Sequence, residues 1–129
     1  MFLMRFTERA YTNYTEEDVR NSPNEAVRLT FSNSHLDPKV AARQYNEYLD
    51  EYEYSEEMGF DGLMLNEHHN TPTCLGATMN LEAAILARIT KKPKIVLLGN
   101  PLPILDNPIR LAEELAEIDM ISGGRLVSG

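Results

Sequence analysis

Two histidines stand side by side in "NEHHNTP", Asn66 to Pro72, directly after the apolar run "GLML". An imidazole titrates close to neutrality, so either could hold or move a proton under ordinary conditions. A metal site is the poorer reading. If the segment extends the strand before it, successive side chains alternate, so His68 faces one side while Glu67 and His69 face the other, and adjacent histidines cannot both bind one ion. The histidine spacings of zinc-binding helices are absent, and His35 is the only other histidine. No metal is expected. Two readings of the pair remain open: an acid/base group at a strand end, or a strand cap that hydrogen-bonds to loop backbone.

A second stretch, "GNPLP", raises a similar question. Gly99 permits close approach of backbone to a ligand, and Asn100 offers both a donor and an acceptor. A plain strand-terminating turn would use the same residues. Cys74 has no basic neighbour in sequence and reads as a small buried hydrophobe rather than a nucleophile. As the single cysteine it cannot form an internal disulfide.

Both stretches end apolar runs, and those runs recur. "GLML" at Gly62–Leu65, "KIVLL" at Lys94–Leu98 and "RLVS" at Arg125–Ser128 follow a first run at Phe2–Phe6, spaced as strand-plus-helix units. Unbroken runs suit strands buried on both faces of a parallel sheet. Helical patterns fill the gaps. Asp37-Pro38 starts the first, which places Val40, Tyr45, Tyr48, Leu49 and Tyr52 on one face and stops at Gly59. The tyrosines read as packing, and the Glu-rich face as solvated surface. The second helix begins near Thr78 or Asn80 and runs to "TKKP"; the third has Asn107 as N-cap, Pro108 at its first position and Gly123-Gly124 at its end. The predicted order is β-α-β-α-β-α-β.

Residues 10–38 are polar and carry turn signals at Asn21-Ser22-Pro23 and Ser32-Asn33-Ser34, which predicts a long loop. It follows the first strand, so in a parallel α/β fold it lies on the ligand-binding face. No Gly-rich dinucleotide turn follows any strand, and no terminal helix covers the last one. The expected fold class is α/β, an incomplete (β/α)8 barrel: four parallel strands with three helices, one domain over residues 1–129.

Twelve Lys and Arg against twenty Asp and Glu give a net charge of −8 and a pI near 4.8. Without a basic stripe, neither nucleic acid nor an anionic membrane is an expected partner, and a small-molecule substrate is. The N-terminal "MFLMRFTER" is too short and too charged for a secretory signal, and a cytoplasmic location is expected.

Three ordered blocks together resemble the bacterial-luciferase-like flavin-dependent monooxygenases: "GFDGLMLNEHHNTP" (Gly59–Pro72), "NLEAAILARIT" (Asn80–Thr90) with "VLLGNPLPILDNP" (Val96–Pro108), and "IRLAEELAEIDMISGGRLVSG" (Ile109–Gly129). The resemblance implies a (β/α)8 barrel that binds reduced FMN at the C-terminal ends of its strands and uses O2 to oxygenate an organic substrate. It places the active-site histidine at His68 and implicates Gly99, Asn100 and Glu67 as flavin contacts. It also allows a cis peptide at or beside Gly99-Asn100. A separate flavin reductase as electron donor and a homodimer through the N-terminal helices are further family expectations. Deazaflavin-dependent hydride transfer, within the same superfamily, is the alternative chemistry. A non-catalytic half-barrel that pairs with another chain is the alternative without chemistry. The family's phosphate-binding groups and much of its substrate pocket lie in its second half, so this chain is expected to be an N-terminal portion that by itself binds FMN weakly or not at all and does not turn over.

Overall fold

The computed structural model describes residues 1–22 and 31–129. Four short strands, β1 (Met4–Phe6), β2 (Gly62–Leu65), β3 (Lys94–Leu97) and β4 (Leu126–Ser128), pair in parallel in the order β1-β2-β3-β4. Parallel neighbours need a crossover, and helices supply it. Among the described residues, α1 (Glu16–Arg20) and α2 (Pro38–Glu57) join β1 to β2, α3 (Met79–Ile89) joins β2 to β3, and α4 (Pro108–Ser122) joins β3 to β4. The fold is α/β with an open parallel sheet.

The helix ends follow from local chemistry. Asp37 accepts hydrogen bonds from the Lys39 and Val40 amides at 2.8 and 3.4 Å, with Pro38 at the position where a missing N–H costs nothing. Asn107 does the same for Ile109 and Arg110 at 2.9 and 3.4 Å, again followed by proline. Gly123, at φ 70°, closes α4 in the left-handed conformation that glycine tolerates best.

Three expectations need correction. The strand β1 starts at Met4, not Phe2; Leu3 is held instead by Asp61, whose carboxylate accepts from the Leu3 amide at 2.8 Å. The predicted loop at 10–38 holds a fourth helix, α1, with a capping box in which Thr15 and Asp18 satisfy each other's amides. It also holds a 3-10 turn at Asn33–His35 capped by Ser32, while its middle, including Pro23, lies outside the described residues. Finally, the strands are buried on one face rather than two. Leu63, Leu65, Ile95 and Leu97 pack with Tyr52, Met79, Ala83, Leu86, Ala87 and Ile118 in a single core. On the opposite face Met4, Phe6 and Val127 keep 37–45% exposure. The reason is that the core cluster draws its helical side chains onto one side of the sheet only.

Arg125, just before β4, is buried with no carboxylate in ion-pair contact among the described residues. It donates to the carbonyls of Ala87 (2.8 Å), Thr90 (3.0 Å), Pro93 (3.0 Å) and Ser122 (2.7 Å), and so collects carbonyls left free where α3 and α4 end. Burial lowers its pKa, with Glu56 pulling the other way.

Candidate active site

Glu8 lies two residues past β1 and Asn66 one residue past β2, so the parallel register of these strands brings the two loops together. His68 completes the cluster. Its Nε2 is 3.1 Å from a Glu8 carboxylate oxygen and 3.2 Å from Asn66 Nδ2, and Asn66 Nδ2 also donates to Glu8 at 3.0 Å. The imidazole thus faces a donor and an acceptor at one nitrogen. Protonated, Nε2 donates to Glu8; deprotonated, it accepts from Asn66, so neither state leaves an orphaned group. The His68 side chain is 29% exposed and Glu8 34%, open enough to exchange a proton.

The adjacent residues do something different. Glu67 is 10% exposed and accepts from the Met79 amide at 3.2 Å, capping α3, whose own N-cap residue Thr78 makes no side-chain bond. Its other oxygen is 3.2 Å from His69 Nε2. The two histidines therefore differ in surroundings: His69 stands against the Glu67 carboxylate that caps α3, and His68 against Glu8 and Asn66. Among the described residues no cluster of three or more His, Cys, Asp or Glu could hold a metal.

Gly99 and Asn100 leave β3 beside β2, where the Leu98 amide still bonds the Leu65 carbonyl at 2.8 Å. Every described peptide bond is trans, so the cis peptide expected at Gly99-Asn100 is not there; Gly99 makes its turn with φ 104° instead. A Cβ at Gly99 would meet nothing within 4 Å. Asn100 Nδ2 and Asn66 Oδ1, a donor and an acceptor, are both buried without a partner among the described residues.

Behind this surface lies a buried ion pair that sequence reasoning missed. Arg9 and Glu82 have no exposure, and Arg9 Nε is 2.9 Å from Glu82 Oε2, close but not aligned as a hydrogen bond. Burial pushes the Glu82 carboxyl up to about 7, against the downward pull of Arg9 and Tyr45. Burial would lower Arg9, but Glu82, Tyr52 and Cys74 outweigh it and hold the guanidinium above its ordinary range. The Cys74 thiol is buried and pushed up by that burial, as the inert reading requires. The tyrosines pack, yet all three on the inner face of α2 also bond: Tyr45 to Glu82 (3.4 Å), Tyr48 to the Ala10 carbonyl (2.8 Å) and Tyr52 to the Met64 carbonyl (3.1 Å).

Comparison with known proteins bears on the family and the fold. The chain is 34% identical over 101 residues to an uncharacterized protein, y4wF, of Sinorhizobium fredii, covering 74% of this chain and 28% of that protein. Among solved structures it is similar to a type II Baeyer-Villiger monooxygenase in complex with FMN, the oxygenating constituent of 3,6-diketocamphane monooxygenase from the CAM plasmid of Pseudomonas putida. The TM-score is 0.63 at 23% identity, over 69% of this chain and 24% of that one, a likeness of fold. The chain therefore spans about a quarter of each. Residues 27–129, which hold the His68 segment, the Gly99-Asn100 turn and three of the four strands, match the luciferase-like monooxygenases, and it is to that family that the chain belongs.

Proposed function

We propose that this sequence builds one side of the active site of a flavin-dependent monooxygenase, with His68 as the proton-handling group. The observation that carries the reading is the His68 imidazole held between Glu8 and Asn66 at the C-terminal ends of parallel strands. Reduced FMN, when bound, would supply the two electrons that reduce one atom of O2 to water while the other enters the organic substrate.

The residues present fit such a group. Asn100 Nδ2 and Asn66 Oδ1 are the unpaired donor and acceptor that a flavin's polar edge would satisfy, and the space at Gly99 admits a ring against backbone. His68 would hold or release a proton at Nε2, which can donate to Glu8 when it carries the proton and accept from Asn66 when it does not. Glu67 contributes by fixing the start of α3, beside the segment that carries His68.

The test is oxygen uptake by a full-length polypeptide carrying this sequence, supplied with reduced FMN from a separate reductase. Substrate-dependent uptake with stoichiometric oxygenated product is expected. Turnover without oxygen consumption, with a deazaflavin as hydride carrier, would overturn it.

Pairing of two copies is part of the same proposal. The groove between α3 and α4, about 390 Å3, is lined by Leu81, Ala84, Ile118 and Ile121, and Leu81 is 69% exposed. Leu81→Glu should convert a sedimenting dimer of the full-length protein to monomer; an unchanged dimer would place the interface elsewhere.

A further inference from the structure

Arg9 reaches every segment that bears on His68. It sits three residues past β1 at φ 52°, with its backbone held by the Leu75 amide, which donates to the Arg9 carbonyl at 2.9 Å. Nη1 donates to the Thr7 carbonyl at 2.9 Å, Nη2 donates to the Asn66 carbonyl, and Nε faces Glu82 of α3. On the far side the guanidinium lies flat against Gly76: a Cβ there would collide with Nη2. The Gly76 carbonyl, in turn, accepts the His68 amide at 3.3 Å. The guanidinium is thus wedged between two backbone points, Asn66 two residues before His68 and the loop segment that holds the His68 amide.

We infer that the Arg9–Glu82 pair positions His68, fixing the backbone on both sides of it so that its imidazole meets Glu8 and Asn66. This rests on the reading of His68 as the proton-handling group. Two observations favour positioning over simple stabilisation. A buried ion pair is often replaceable by apolar residues of similar volume without loss of stability, so its presence calls for another reason. This pair is also incompletely satisfied, since Glu82 Oε1 has no partner among the described residues. Its geometry serves the guanidinium's contacts with Asn66 and Gly76 better than its own hydrogen bonding.

The experiment reads His68 directly and needs no flavin, so it is independent of whether the monooxygenase reading holds. In the charge-free double variant Arg9→Met/Glu82→Leu of the whole chain, nitrogen-15 side-chain spectra of the three histidines are compared with the native protein. The expected result is a shift of the His68 ring nitrogens as Nε2 loses its contacts with Glu8 and Asn66, while His35 and the His69–Glu67 contact keep their native signals. Gly76→Ala, which displaces the guanidinium without altering charge, should produce the same His68-specific shift. Native His68 signals in either variant, once folded, would overturn the proposal. So would failure of both variants to fold, since the pair would then be a determinant of the fold itself.

Discussion

Arg9→Met is expected to destabilise the chain by roughly 3–5 kcal/mol at pH 8, the scale for stripping one partner from a buried ion pair, and by distinctly less at pH 5.5. The difference comes from Glu82. Its carboxyl, fully buried beside Arg9, is pushed up to about 7 from an ordinary 4.5. A folded-state value above the unfolded one means that the folded chain binds the proton more tightly. The stability contributed by that proton is fully present below about pH 4.5 and is lost as pH rises through about 7. Without Arg9 to lower it, the Glu82 carboxyl moves higher still, so at pH 8 the variant must either bury a carboxylate with no cation or take up a proton on folding; at pH 5.5 the group is neutral without that cost, and what is missing is the guanidinium's own contacts with the Thr7 and Asn66 carbonyls and Cys74. Urea titrations of both proteins at the two pH values check this. Equal losses at both would mean that charge at Glu82 is not what Arg9 answers.

His68→Ala, made in a full-length polypeptide carrying this sequence, should lower kcat by about 10²–10⁴, the range for loss of a positioned proton-transfer group. His69→Ala should leave kcat nearly unchanged, because its 43% exposed ring braces Glu67 at the α3 cap and has no partner in the His68 cluster. Glu8→Gln should fall between: it keeps an acceptor for Nε2 but replaces a charge-assisted hydrogen bond with a neutral one. Substrate-dependent oxygen uptake with reduced FMN is the readout. Unaltered turnover in His68→Ala would take that residue out of the mechanism.

What could be read in the sequence was what is local. Asp37-Pro38, Asn107-Pro108 and Gly123 mark helix ends because each acts on amides or dihedrals within a few residues of itself. Thr15 and Asp18 carry the same kind of signal for α1, but the segment around them is too polar and its helix too short to show a periodic apolar face. The site was only half legible. His68, Gly99 and Asn100 stood out by residue type at strand ends, but their partners did not. Glu8 and Asn66 are 58 positions apart, and nothing in either neighbourhood announces the other. Glu82 looks like a solvated residue in "NLEAAILARI" and is in fact fully buried, because the cation that accompanies it comes from beyond β1.

The register of the sheet also orders the events of folding. Gly62 pairs with Lys94 and Ile95 with Leu126, each across one strand-helix unit, whereas Met4 must find Gly62 across nearly twice the chain. Loop closure becomes more costly with span, by about 0.6 kcal/mol per doubling, and β1 has only three ladder positions and one neighbour to set against it. On that difference of span, the units from β2 to β4 are expected to form before β1 pairs with β2, which pulse-labelled hydrogen exchange would read as earlier protection of the β2–β4 amides than of Met4–Phe6.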